Sequence, residues 1–355
     1  MPDLSPKMRL TAFLLLAGLS LPVVAQAQLS SPSSAVYFEP SQTLIRENIQ
    51  VPAGRFSAYN FTLEPGTTLS ADFRVSGGAN RQIKVWLVDA VNYQLLLAGR
   101  QFNYFTGTSG SVRSTAKYAF QVPEANIYYL VLDNTGAWVL PRNVQLYVYA
   151  KLPQPTSEQI EAQRQMNSMY DGLKSFFIFD DFRISIQHCG LENAFSDPNI
   201  TICMELVESL HDQNLDQAVA FVLFHELGHT LLRSWGQPGW DNEDMADEFA
   251  TALLVLAKQQ QTALSAAQWW ASKTSEQEAL AKLWLDDRHT VSPQRARNIV
   301  HWLNQPDEFV KRWLRVLTPN MQTKALKEML EDTDPRIDKA LVRGELAKRQ
   351  YSTQR

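Results

Sequence analysis

Val222-Leu223-Phe224-His225-Glu226-Leu227-Gly228-His229-Thr230-Leu231-Leu232 is the stretch on which the rest of the chain turns. Its flanks, with Ala218, Val219 and Phe221, are apolar on nearly every side. A helix of that composition belongs at the centre of a domain rather than on its surface. Residues four apart on a helix share a face, about 6 Å apart along the axis. His225 and His229 can therefore aim two imidazoles at one ion, with Glu226 beside them. The plainer alternative is a core helix with two hydrogen-bonded histidines, but two His and a Glu there are costly without partners. Neutral imidazole suits Zn²⁺, and a water on that ion loses a proton near neutral pH. The H-E-x-x-H pattern is the geometry of amide hydrolysis, with Glu226 as general base.

The rest of the composition sets the address. Lys7 and Arg9, the apolar run Leu10 to Leu21, and Ala25-Gln26-Ala27 read as a signal peptide over residues 1–27. The apolar run is too short to span a bilayer, and no later stretch is long and apolar enough for a membrane span. No Cys follows the expected cut, so a lipoprotein anchor is not indicated. The expected location is periplasmic or secreted. Net charge is −4, with no basic cluster, which argues against nucleic acid as a partner. The two cysteines, Cys189 and Cys203, lie in the exported part, where disulfides persist. A bridge is expected over two buried thiols or a spare zinc site. Closing a loop of about 15 residues stabilises by roughly 3 kcal/mol in the chain-entropy model.

From Tyr37 to Leu152 the pattern is short alternating runs between Gly, Pro and Asn, as in Ile83 to Val88 and Val144 to Tyr149. Such spacing predicts an antiparallel β-sandwich over residues 28–152. Tyr93, Phe102, Tyr104 and Phe105 are either a ligand patch or internal packing. Pro153 to Pro155 reads as a linker. A second domain, 156–355, opens on a helix from Thr156 to about Phe177, with Gln159 completing a capping box. Residues 182–188 and 199–204 alternate as strands around a turn that contains Asn193, Ser196 and Asp197. Beyond Asn242 the pattern is helical, with breaks near Ser272, Thr290, Pro306, Pro319 and Pro335. The fold class is α+β: an N-terminal antiparallel β-sandwich, then a mainly helical domain with a small β-sheet. The segment Phe120 to Thr135 resembles the last strands of jelly-roll accessory domains appended to exported bacterial peptidases, hence jelly-roll-like.

Two His do not complete a catalytic zinc site; three protein ligands and an open position do. Position 235 is Trp, which excludes the class with a third His at short spacing. In Asn242-Glu243-Asp244-Met245-Ala246-Asp247, Glu243 and Asp247 lie four apart, with Asn242 a plausible N-cap. Acidic residues suit a first helical turn. That accounts for Asp244 better than for Asp247, which sits beside an apolar stripe. The ordered pair H-E-x-x-H then N-E-x-x-x-D resembles the gluzincin, or thermolysin-like, metallopeptidases. The resemblance implies a zincin-like domain in which Glu243 is the third zinc ligand and Asp247 orients His225, since a ligating His needs an acceptor for its other N–H. Asn193-Ala194-Phe195 is similar to the gluzincin edge-strand segment that binds the substrate backbone.

The region 156–305 also resembles a family of bacterial metallopeptidases known mainly from sequence. The order is Cys189, Asn193, Ala194, then Cys203, Glu205, Leu206, then the two metal helices, then Asp287, His289, Gln294 and Arg295. His289, held by Asp287, is implied as the oxyanion donor; Arg295 either takes that role or holds a buried carboxylate. Glu205 braces either the strand pair or the site. The expectation is one Zn²⁺ and a peptide or protein substrate, with hydrolysis by a Glu-activated zinc-bound water. A cell-envelope partner through the sandwich is also possible. The alternatives are a non-catalytic envelope binding protein with structural zinc, or a zinc amidase on a non-peptide amide.

Overall fold

The fold comes from a computed structural model that describes residues 35–77, 81–106, 110–112, 115–272 and 293–353. The expected signal peptide, Asp287 and His289 lie outside the described residues. The chain is α+β, with antiparallel sheets in its N-terminal part and mainly helices after them. It divides into two compact units, one spanning Glu39–Thr156 and the other Ser157 onward together with the segment before Glu39.

The strand β1 (Val36–Phe38), which the alternation joined to the first region, pairs in the sheet of the second unit. The first unit holds β2 (Ser41–Val51), β3 (Phe56–Leu63), β4 (Thr68–Ser76), β5 (Ile83–Asp89), β6 (Gly110–Val112), β7 (Thr115–Gln121), β8 (Asn126–Asp133) and β9 (Arg142–Lys151). These form two four-stranded antiparallel sheets, ordered β2-β9-β4-β7 and β3-β8-β5-β6. Residues alternate in and out, as in β9, where Val144, Leu146, Val148 and Ala150 are buried and Asn143 and Gln145 are exposed. Both sheets feed one apolar core, including Phe73, Leu87, Leu132 and Leu146. Each such side chain contributes about 1.5–3 kcal/mol on burial.

The helix α1 (Ala90–Leu97) was not anticipated among these strands. Asp89 starts it by accepting from the Asn92 amide at 2.8 Å. The aromatics of this region find partners. Tyr93 stacks on Tyr129 at 3.9 Å, Phe102 and Tyr104 pack on Trp86, and Phe105 packs on Phe120 and Tyr128.

In the second unit α2 (Ser157–Phe176) precedes β10 (Ile184–Gln187), β11 (Ala194–Asp197) and β12 (Asn199–Cys203). The sheet order is β1-β10-β12-β11, with β1, β10 and β12 parallel and β11 antiparallel on the edge. Ala194 to Asp197 is therefore a strand and not part of a turn. Pro198 holds the residue before it extended, and the chain reverses between Asp197 and Asn199, which are paired.

Ten helices lie among the described residues. In this unit α3 (Met204–Asp212), α4 (Asp216–Ser234), α5 (Glu243–Leu256) and α6 (Gln260–Ser272) are followed by α7 (Pro293–Asn304), α8 (Pro306–Leu317), α9 (Thr323–Glu331) and α10 (Lys339–Thr353). The helix α4 carries the H-E-x-x-H stretch through the centre and is buried without a break from Ala220 to Leu232. It stops at Gly236, whose φ of +65° lets its amide reach the Arg233 carbonyl, while the Gln237 amide reaches Leu232. Six residues after Gly236, Asn242 caps α5, accepting from the Met245 amide at 3.0 Å. The two helices cross at Gly228. A Cβ there would meet Ala246 Cα and a Phe249 ring carbon, each at 3.2 Å. Only a residue without a side chain lets the backbones approach so closely.

Candidate metal centre

The crossing of α4 and α5 brings three side chains together. The Nε2 atoms of His225 and His229 lie 3.2 Å apart. Glu243, the first residue of α5, sets one carboxylate oxygen 3.3 Å from His225 Nε2 and the other 3.4 Å from His229 Nε2. Both rings are buried, and the Glu243 side chain is only 19% exposed.

The tautomers follow from what lies behind the rings. His225 Nδ1 is 2.8 Å from the Asp247 carboxylate, and His229 Nδ1 is 2.7 Å from the Trp240 carbonyl. Both partners can only accept and lie closer than the Arg295 terminal nitrogen, a donor 3.1 Å from His225 Nδ1, so each Nδ1 carries the hydrogen. The two Nε2 lone pairs then face one another and a carboxylate, an arrangement that calls for a positive charge between them. Ligands about 2.0–2.1 Å from a tetrahedral ion stand about 3.3–3.4 Å from each other. The separations of 3.2, 3.3 and 3.4 Å fit such an ion, and His225, His229 and Glu243 could hold it.

Charge in the pocket is shared through a buried network. Arg295, on α7, grips Asp247 with two bonds, from Nε at 2.7 Å and from a terminal nitrogen at 2.6 Å. Its other terminal nitrogen is 3.1 Å from Glu243 Oε2, and its guanidinium lies over the Trp270 ring at 4.1 Å. Burial would raise the Asp247 carboxyl, but Arg295 and His225 outweigh it and hold the group below its usual range. Burial likewise opposes the Arg295 charge, and Asp247 with the other carboxylates restores it above the ordinary value. For His225, burial and the Arg295 charge push downward, while Asp247 and Glu243 prevail and hold it up at about 9.

Glu226 is 2% exposed, and its Oε2 has no hydrogen-bond partner. Of the two alternatives for Arg295, the geometry is that of holding a buried carboxylate.

Asn193 and Ala194 stand at the start of β11. The Asn193 carbonyl accepts from Cys203 N at 3.0 Å, and its side chain accepts from the Ala194 amide at 2.9 Å. Cys189 and Cys203 are disulfide-bonded with Cα atoms 5.4 Å apart. Glu205 is buried and receives the amides of Cys189 at 3.1 Å and Gly190 at 2.7 Å, so it braces the turn leading toward β11. Three contributors escaped the sequence. The Trp240 carbonyl is backbone and has no side-chain signature. Trp270 shows itself only once Arg295 is placed. Gly228 stands inside the motif, but its need for close approach depends on where α5 lies.

A family model described as "Putative metallopeptidase" matches residues 149–309, a span that contains every one of these groups. The match supports a metallopeptidase family for this region, and with it a metal ion and a protein or peptide substrate. No curated protein matches. Among solved structures, the crystal structure of Aeromonas hydrophila PliG, a periplasmic lysozyme inhibitor of g-type lysozyme, matches at 12% identity over 32% of this chain and 96% of that chain, with a TM-score of 0.21.

Proposed function

We propose that the chain is an exported, zinc-dependent metallopeptidase of the gluzincin type. His225, His229 and Glu243 hold one Zn²⁺, a His₂Glu set of the kind used by catalytic sites. When bound, the ion supplies a Lewis acid and brings a coordinated water close to ionisation at neutral pH. Glu226 takes the proton of the attacking water and returns it to the departing amine. Asp247 fixes the Nδ1–H tautomer of His225, and Arg295 keeps Asp247 ionised. The Trp240 carbonyl fixes His229. The substrate lies extended along β11 from Asn193-Ala194, adding a strand to the sheet edge. By resemblance, His289 with Asp287 donates to the oxyanion. The signal-like residues 1–27 direct the protein to the periplasm or beyond the cell.

One observation carries the reading: two imidazole Nε2 atoms and a carboxylate converge within 3.2 to 3.4 Å, beside a buried glutamate with a free oxygen. The test is metal content by mass spectrometry together with cleavage of an unfolded protein such as casein. The expectation is one zinc per chain. Glu226→Gln keeps the zinc and loses hydrolysis by about 10²- to 10⁴-fold, the usual share of a general base. Glu243→Ala loses the metal. Wild-type protein that takes up no divalent ion, or full activity in Glu226→Gln, overturns the proposal.

A further inference from the structure

The loop from β8 to β9 in the sandwich unit places apolar side chains where nothing described covers them. Trp138 is 97% exposed and Val139 80%, with Leu140 half exposed beside them. This tip is not a loose excursion. Its stem is built on Asn134, itself 4% exposed, whose side-chain amide donates to the carbonyls of Val51, Pro52 and Leu140. The Asn134 backbone exchanges bonds with Gly54 and Arg55, and Arg142 donates to the Gln82 carbonyl. Asp133 accepts from the Thr135 amide and hydroxyl. A fixed stem with an uncovered indole at its end is costly in water, and such tips mark interaction sites.

The exposed charge of the described residues at this end is cationic, while Asp133, opposite Lys84, is half-buried and held by Trp86 and Thr135. The strand registers put the turn between β2 and β3, the β4–β5 connection and the β8–β9 loop side by side. Their described residues include exposed Arg55 and Arg81 and no Asp or Glu, and exposed Lys84 follows on β5. The opposite end of the same sandwich presents Glu64 and Glu124, both exposed. The surface around the apolar tip is thus cationic, while the far end is mixed, since Lys151 stands opposite Thr68 there.

We propose that this end docks on an anionic lipid surface, with Trp138 and Val139 entering the headgroup–acyl boundary and Arg55 and Arg81 meeting lipid phosphates. Side chains this exposed suit a deformable medium, whereas a protein partner would need a matching pocket. Trp is favoured where one end of a ring is apolar and the other wet. Basic side chains near an anionic leaflet add attraction that salt screens within a Debye length. This inference stands apart from the hydrolytic reading and needs no metal.

The test is co-sedimentation of the chain from Gln28 onward, without the apolar Leu10–Leu21 run, with phosphatidylglycerol/phosphatidylethanolamine vesicles and with pure phosphatidylcholine vesicles. The expected result is binding to the anionic vesicles that weakens with added salt. The double substitution Trp138→Ser/Val139→Ser weakens it at least about tenfold, with an unchanged thermal melting curve because the tip packs on little. Arg55→Ala/Arg81→Ala lowers binding to the anionic vesicles alone. The proposal is overturned if the parent chain ignores anionic vesicles or if the tip variant binds them as well as the parent. It is also overturned if sedimentation velocity shows a lipid-free dimer that the tip substitutions dissolve, which would make a second copy the occupant.

Discussion

Asp247 is wholly buried, and without Arg295 only the His225 ring would face its charge; Arg295 gives it two donors and shares a third contact with Glu243. Removing one partner of such a pair leaves the other charge stranded, at about 3–5 kcal/mol. Arg295→Met should therefore lower unfolding free energy by that order in a denaturant titration. Arg295→Lys retains the charge but not the two-pronged grip, and should fall between the two. Asp247→Asn is a milder change on the His225 side and should weaken metal affinity by about 10- to 100-fold, as measured by competition with a chelating dye. Residue by residue, the centre was unevenly legible. The pair His225 and His229 can be read directly because helical spacing alone makes them neighbours. Glu243 and Asp247 needed a resemblance, since their approach to the histidines depends on how a second helix crosses the first. The Trp240 carbonyl was beyond reach, because a backbone acceptor has the same chemistry at every position.

At the scale of elements the crossing of α4 and α5 sets the ligand geometry, and Gly228 sets the crossing. Gly228→Ala gains about 1 kcal/mol of helix propensity. It also drives a methyl to 3.2 Å from Ala246 Cα and 3.3 Å from its carbonyl oxygen, both backbone atoms that cannot swing aside. Overpacking of this kind costs about 1–3 kcal/mol, so the balance should be destabilising. Metal affinity should drop with it as Glu243 is pushed from the imidazoles. A substitution that raises the melting temperature and leaves affinity intact would show that the helices separate freely. The turn before β11 offers a pH-dependent counterpart. Burial raises the Glu205 carboxyl, yet the His188 ring and the amides of Cys189 and Gly190 bring it below its ordinary value of 4.5. A depressed carboxyl contributes stability that is present above the unfolded pKa and is lost as pH falls through the folded one. Glu205→Gln should thus be less stable than the parent at neutral pH, with the gap closing as pH falls below the ordinary carboxyl value in acid titrations followed by circular dichroism. For strand β11 the residue pattern alone pointed to a turn, because Asn193, Ser196, Asp197 and Pro198 carry turn chemistry, whereas the resemblance placed Asn193-Ala194-Phe195 on an edge strand. What makes it a strand is the long-range partner β12.

The described residues form two apolar cores, one in each unit, and the proposed metal belongs to only one of them. Separate cores favour separate cooperative transitions over a single two-state melt. A ligand that binds only the folded state stabilises the unit holding it, by about 4 kcal/mol when its concentration is a thousand times its dissociation constant. Calorimetry with zinc and then with excess chelator should accordingly show one transition falling by several degrees while the sandwich transition stays in place. Glu243→Ala should behave like the chelated parent and show no further response to chelator. Trp138→Ser should leave both transitions where they are, since its side chain lies outside either core. If chelation moved both transitions equally, the two units would unfold as one. If it moved neither, the three ligand side chains would not hold an ion that matters to the fold.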